Sequence, residues 1–232
     1  MKTVIIGDGE PVIGIVGCVH GNEKIGEKII NSLKNITQFN GTILLILANK
    51  KAMIENTRFI DSDLNRSFPG SETGNHEERL AALLLKELSD CDYVLDIHST
   101  TAETEDFVIV TKTDEETKRL ASCVPLKKVV VMREVLAHGK SLIDNVSCGI
   151  SIEFNKETKL ETAKEVILRT LQNINTKKFY RNEKQEAYLV YDLLQKKQEI
   201  INLTNFIETE INGEKFYPIL FGEKAYKDLL CL

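Results

Sequence analysis

The stretch PVIGIVGCVHGNEKIGEKIINSLKNITQFNGTILLILA, residues 11–48, decides the fold. Its first part is a β-branched run that closes on His20, takes Gly21, and reaches Glu23 three positions after the histidine. From Glu23 the period changes: Ile25, Ile29, Ile30 and Leu33 fall on one helical stripe. GTILLILA then reads as a strand buried on both faces, as a parallel sheet requires. Strand, helix, strand is the repeating unit of a layered α/β domain. Working outward, TVII is a further strand before the turn-rich GDGE. Downstream the alternation continues through HEERLAALLLKEL (helix), DYVLDIHS (strand), FVIVT (strand), a helix near DEETKRLA, KKVVVM (strand), GISIEF (strand) and ETAKEVILRTLQNI (helix). Residues 50–74 lack periodicity and read as one long loop with at most a helical turn. Loops of that length in compact domains are mostly functional or disordered.

After Ile174 the character changes. NTKKFYRNEKQEA is a charged, helix-poor bridge, followed by the strand-like AYLVYDLL, INLTNFIE and KFYPILF, with Asn212-Gly213 as a hairpin signal. The expected division is therefore a main domain over 1–175 and a small β-rich unit over 176–232 that packs upon it. With 232 residues, 42% hydrophobic and 28% charged, the chain has ordinary globular composition. A net charge of −5 argues against binding nucleic acid through phosphate neutralisation. No apolar run approaches membrane-spanning length, and MKTVIIGDGE lacks the h-region of a signal peptide. The five cysteines are scattered with no C-x-x-C, which fits reduced thiols and a cytoplasmic location.

Chemistry-bearing residues cluster where strands end, as expected in open α/β sheets. His20 and Glu23 follow PVIGIVGCV, His98 follows DYVLDI, and Glu153 lies in GISIEF. A turn at Gly21 would fold His20 and Glu23 together, and His98 from a neighbouring strand would complete a set that suits Zn²⁺ with one position open. Glu23 as a simple helix acid, and Cys18 with His20 as a rival ligand pair, remain alternatives. His76 and His138 read as solvated histidines, and Asp96 as either a partner of His98 or an ordinary strand-end acid. Glu153 inside an apolar strand is the kind of buried carboxylate that marks functional sites. In NTRFIDSDLNRSFPG, Arg58, Asn65 and Arg66 could grip a carboxylate, or could be solvated and bridged to Asp61 and Asp63.

GCVHGNE, TRFIDSDLNRSFPG, LDIHSTT, GISIEF and YPILFGEKAY, in that order, resemble the zinc-dependent aspartoacylase and succinylglutamate desuccinylase family, within the wider zinc carboxypeptidase fold. The resemblance implies a mixed central sheet with helices on both faces and a C-terminal unit capping the site. It implies one zinc per chain held by His20, Glu23 and His98, Glu153 as general base, Arg58 polarising the scissile carbonyl, Asn65 and Arg66 holding a substrate carboxylate, and Tyr226 contributing to the pocket. The family's aspartoacylases place a further substrate arginine shortly before the general base. Here no arginine lies between Arg133 and Glu153, and Lys140 is the nearest cation.

The implied activity is hydrolysis of the amide of a small carboxylate-bearing N-acyl amino acid by a metal-activated water. The alternatives are a carboxypeptidase-like metallopeptidase and a non-catalytic metal- or ligand-binding homologue. The expected partner is a small anionic substrate, with self-association left open. The glycines of GDGEPVIGIVG do not have dinucleotide-loop spacing, because no third glycine opens a helix.

Overall fold

The computed structural model describes every residue except 37–38, 133–135, 178–184, 196–202, 212, 227–228 and 232, with backbone only at 194–195, 226 and 229–231. The opening stretch forms β2 (Val12–Gly17), α1 (Lys24–Leu33) and β3 (Gly41–Leu47), after a first strand β1 (Lys2–Asp8). The residues between β3 and the next long helix are not one loop. They contain α2 (Lys50–Glu55) and a 3-10 turn at Leu64–Arg66 before α3 (His76–Glu87). A six-residue helix is too short to show periodicity, but its ends carry the expected residues: Asn49 accepts from the Ala52 amide at the N-terminus, and Asn56 adopts the left-handed conformation at the C-terminus.

The chain continues through β4 (Tyr93–Ser99), β5 (Phe107–Val110), α4 (Glu115–Cys123), β6 (Lys128–Val131), the short α5 (Leu142–Asn145), β7 (Gly149–Phe154) and α6 (Leu160–Thr176). Then come β8 (Glu186–Leu189), β9 (Leu193–Gln195), β10 (Thr209–Ile211), β11 (Glu214–Phe216) and β12 (Leu229–Cys231). Among the described residues, eight strands form one sheet in the order β1-β3-β2-β4-β7-β5-β6-β8. The sheet is mixed: β1 is antiparallel to β3 and β5 antiparallel to β7, while the remaining neighbours run parallel.

Strand periodicity divides the core in two. Ile13 and Ile15 of β2, Leu95 and Ile97 of β4, and Ile150, Ile152 and Phe154 of β7 face the layer of α1, α4 and α6. Val16 and Val94 face the opposite side, where Leu80, Ala81 and Leu84 of α3 and Leu142 of α5 pack. Val94, Asp96 and His98 therefore share one strand face, as do Gly149, Ser151 and Glu153. The parallel register sets Asp96 beside Ser151 and His98 beside Glu153. Local alternation and register, taken together, place these two residues side by side over the α3 layer.

The segment after 176 behaves differently from a free-standing unit. Its first strand, β8, extends the edge of the main sheet beside β6. The remainder pairs β9 with β12 and β10 with β11, the latter across two residues that include Gly213 at φ 84°. Asn212 and the bridge residues 178–184 lie outside the described residues. The described part of INLTNFIE is not a strand. Asn205 turns it instead, donating to the carbonyls of Glu103 and Phe221 and accepting from the Phe221 amide.

Phe206, Ile219 and Leu220 pack onto Phe107, Ile109 and Val130, on the Glu153 side of the sheet. Lys128 anchors this contact: its ammonium lies 4.8 Å from the Phe206 ring centre and 3.2 Å from the Glu186 carboxylate.

Candidate active site

At the end of β2 the chain turns sharply. The expected turn at Gly21 forms, closed by the Glu23 amide donating to the His20 carbonyl (3.2 Å), and Cys18 (φ 58°) just before it is left-handed. Gly21 is required because a Cβ there would lie 2.2 Å from the Ala52 carbonyl carbon in α2. That close approach lets the Gly21 amide donate to the Arg58 carbonyl (3.1 Å), tying the turn to the polar loop. Glu23 sits immediately before α1 but does not cap it with its side chain. Its carboxylate instead reaches His20 Nδ1 (2.6 Å) and His98 Nδ1 (3.0 Å), and accepts from the Ser99 amide (3.0 Å).

The outer nitrogens of both rings also face carboxylates. His20 Nε2 lies 3.1 Å from Asp63 Oδ1, and His98 Nε2 lies 2.7 Å from Asp96 Oδ2. Rings that donate outward through Nε2–H present Nδ1 lone pairs inward, against the Glu23 oxygens. Acceptors held this close need a positive charge between or upon them. Burial alone would lower both imidazoles and raise the Glu23 carboxyl. The opposing charges win: His20 and His98 are raised, His98 most, and Glu23 is held well below the usual carboxylate range.

The arrangement fits a divalent cation by this observation. One ligand atom from each of His20, Glu23 and His98 lies within 4.8 Å of the others, and each histidine has the outward carboxylate that orients metal-ligating imidazoles. Cys18 does not join them. Its thiol donates to the Glu23 carbonyl, and burial pushes it up to about 12, so it is not a thiolate.

His20, Glu23, Arg58, Asn65, Arg66, His98 and Glu153 all line one cavity. Among the described residues no donor bonds the Glu153 carboxylate. Burial raises it to about 7, with His98 opposing and the nearby Glu23 charge adding to the rise. Arg58 donates through Nε to Asp63 Oδ2 (3.0 Å) and lies 3.5 Å from Glu23 Oε1. The bridge to Asp63 thus forms without taking Arg58 out of the cavity wall. Asn65 accepts from the Leu142 amide (3.0 Å), and its amide nitrogen lies 3.3 Å from His98 Nε2. Arg66 donates to the Asn65 carbonyl (2.6 Å).

Lys140 is exposed and does not line the cavity, because the preceding turn, with His138 and Gly139 both at positive φ, carries it outward. The side chain of Tyr226 lies outside the described residues. His76 Nε2 contacts Asn49 (3.2 Å), away from the ligand group.

Sequence reasoning missed the full reach of two acids: Asp63, expected only as a bridge partner of the loop cations, and Glu223. Asp63 joins His20 to Arg58, and its carboxyl is held low by those same groups against the effect of burial. Glu223 reaches the cavity from the C-terminal segment, accepting from Thr100 Oγ1 (2.6 Å), the Thr101 amide (2.6 Å) and Thr101 Oγ1 (2.9 Å). Each was in a quoted motif, but only the fold shows what it touches. The rest of the lining combines the polar Ser99, Thr100, Thr111, Ser141 and Ser151 with an apolar wall of Ile109, Met132, Leu136, Ala137, Ile143 and Leu220.

The catalytic-domain model of succinylglutamate desuccinylase/aspartoacylase matches residues 10–146, more than half of the 232. The chain therefore belongs to the succinylglutamate desuccinylase/aspartoacylase family. The matched residues include His20, Glu23, Arg58, Asn65, Arg66 and His98, whereas Glu153 lies beyond them. A probable aspartoacylase of Acaryochloris marina is 36% identical over 101 residues, 38% of this chain and 34% of that protein. An N-acyl-aromatic-L-amino acid amidohydrolase (carboxylate-forming) of Xenopus tropicalis is 25% identical over 276 residues, covering 91% of this chain and 88% of that one. In fold the chain is similar to murine aminoacylase 3, with a TM-score of 0.77 at 17% identity, over 97% of this chain and 96% of that one. Among the described residues no helix is long and apolar enough to cross a membrane.

Proposed function

We propose that this chain is a zinc-dependent amidohydrolase that cleaves the amide of a small carboxylate-bearing N-acyl amino acid. The observation that carries the reading is the convergence of His20, Glu23 and His98 in one cavity beside Glu153, Arg58 and Arg66. One Zn²⁺ held by the first three would supply Lewis-acid activation of water and of the scissile carbonyl.

Glu153, raised towards neutrality, takes the proton from the attacking water and delivers it to the departing amine. Arg58 directs its guanidinium at the carbonyl oxygen, where negative charge develops. Arg66, with Asn65 beside it, grips the free carboxylate and sets the amide against Glu153. The apolar wall receives the uncharged part of the substrate, a reading supported by the aromatic substrates named for the Xenopus relative. Residues 176–232 act as the cap, supplying Leu220 and Glu223 and, on the resemblance, Tyr226. Such a cap disfavours long peptides. The buried free thiols of Cys18, Cys91, Cys123 and Cys148 support a reducing, cytoplasmic setting.

The test is a zinc-supplemented assay on N-acetyl-L-phenylalanine, N-acetyl-L-aspartate and N-succinyl-L-glutamate beside short peptides. Release of free amino acid from an N-acyl substrate is expected. Faster cleavage of peptides would favour the metallopeptidase, and no turnover of anything would remove the enzyme.

A further inference from the structure

Glu77 is a buried carboxylate outside the cavity. It is 0% exposed, and among the described residues no cation pairs with it. Four donors hold it instead. Oε1 accepts from Asn49 Nδ2 (2.9 Å) and the Ile60 amide (2.8 Å), and Oε2 from the amides of Asp61 (2.9 Å) and Ser62 (3.2 Å). Three of the donors are consecutive backbone amides of a segment that belongs to neither helix nor sheet.

The loop around these amides is only partly buried, so water could serve them as partners, yet all three turn inward onto the one carboxylate. A carboxylate is costly to bury unless fully bonded, so placing one here makes sense only if the loop must be held in one shape. That shape is what aims the neighbouring side chains. Asp63 follows Ser62 directly and bonds both His20 and Arg58; Asn65 and Arg66 come next, on the 3-10 turn. The anchor itself is rigid. Glu77 lies in the first turn of α3, below the Asn75 and Glu78 capping box, and Asn49 is the cap of α2. Two helix N-termini thus fix the carboxylate that fixes the loop.

We propose that Glu77 is a positioning residue for catalysis, which through three consecutive backbone amides holds the loop presenting Arg58, Asn65 and Arg66 to the cavity and Asp63 to His20 and Arg58. It rests on the assignment of Arg58, Asn65 and Arg66 to the substrate.

The test is Glu77→Gln, which keeps the size but sets an NH₂ against backbone donors. Hydrogen exchange at residues 60–62 should become at least tenfold faster while α6 is unchanged. Assayed at saturating zinc, kcat/KM on N-acetyl-L-phenylalanine should fall at least tenfold in folded protein. Unchanged exchange at 60–62 overturns the proposal. So does faster exchange with unchanged kcat/KM, the signature of a merely structural role. If the Gln variant does not fold, Glu77→Asp, which shortens the reach, is judged by the same criteria. Should the wild-type protein hydrolyse no N-acyl probe, the amidohydrolase reading fails, and the exchange measurement still decides whether Glu77 holds the loop.

Discussion

Asp63→Asn is the substitution that separates this site from a collection of surface acids. Asp63 Oδ1 serves His20 Nε2 (3.1 Å) and the Asn65 amide (2.9 Å), while Oδ2 serves Arg58 Nε (3.0 Å). The variant amide has one oxygen for these two sides. If the oxygen stays towards His20, its NH₂ faces the Arg58 donor; if it turns, His20 loses its acceptor. In either orientation one charge-assisted bond is lost and a donor meets a donor. Loss of a carboxylate that orients a ligating histidine costs about 10–100-fold in metal affinity or activity, or about 1.4–2.7 kcal/mol.

Chelator competition should therefore show zinc binding weakened within that range, and kcat at saturating zinc should also fall because Arg58 is released. Asp96→Asn is the control. Asp96 bonds His98 and Ser151 but not Arg58, so zinc affinity should drop while kcat at saturating zinc is largely retained. Zinc affinity within twofold of wild type together with unchanged kcat for Asp63→Asn would refute the reasoning.

Glu153→Gln should lower turnover by about 10²–10⁴-fold, the usual contribution of a positioned general base, with zinc still bound; undiminished activity removes Glu153 from the reaction. A pH dependence of stability follows from Glu77. Burial would raise its carboxyl, but the amides of Ile60 and Asp61 and the Asn49 side chain outweigh that and hold it low. Between this lowered folded value and the unfolded value of about 4.3, the unfolded state binds more protons, so stability rises with pH there. Denaturant unfolding of wild type against Glu77→Gln should thus show a stability difference that is full above the unfolded value and shrinks as pH falls through the folded one. A difference that grows on acidification would contradict the assignment.

Much of the scaffold was readable because its signals are local. The β-branched run into His20, the Ile stripe of α1 and the apolar β3 each carry their own period. The grouping of His20, Glu23 and His98 was readable for the same reason, since His20 follows β2, His98 lies near the end of β4 and Glu23 immediately precedes α1. What escaped is long-range or short. A six-residue α2 has no period, and its Asn49 and Asn56 ends are ordinary polar residues until the helix is seen. Gly21 was readable as a turn, but neither its close contact with α2 nor the positive φ of Cys18 was. β8 joins the main sheet through partners more than fifty residues earlier in the chain. Asp63, Glu77 and Glu223 look alike as isolated acids, and their separate roles arise from which amides, rings and hydroxyls surround them.

The most direct measurement is anomalous X-ray scattering at the zinc edge from crystals grown with zinc. The account predicts a single strong peak per chain between His20, Glu23 and His98, lost in His98→Ala. A wild-type crystal with no peak there, or with zinc held elsewhere, would contradict it.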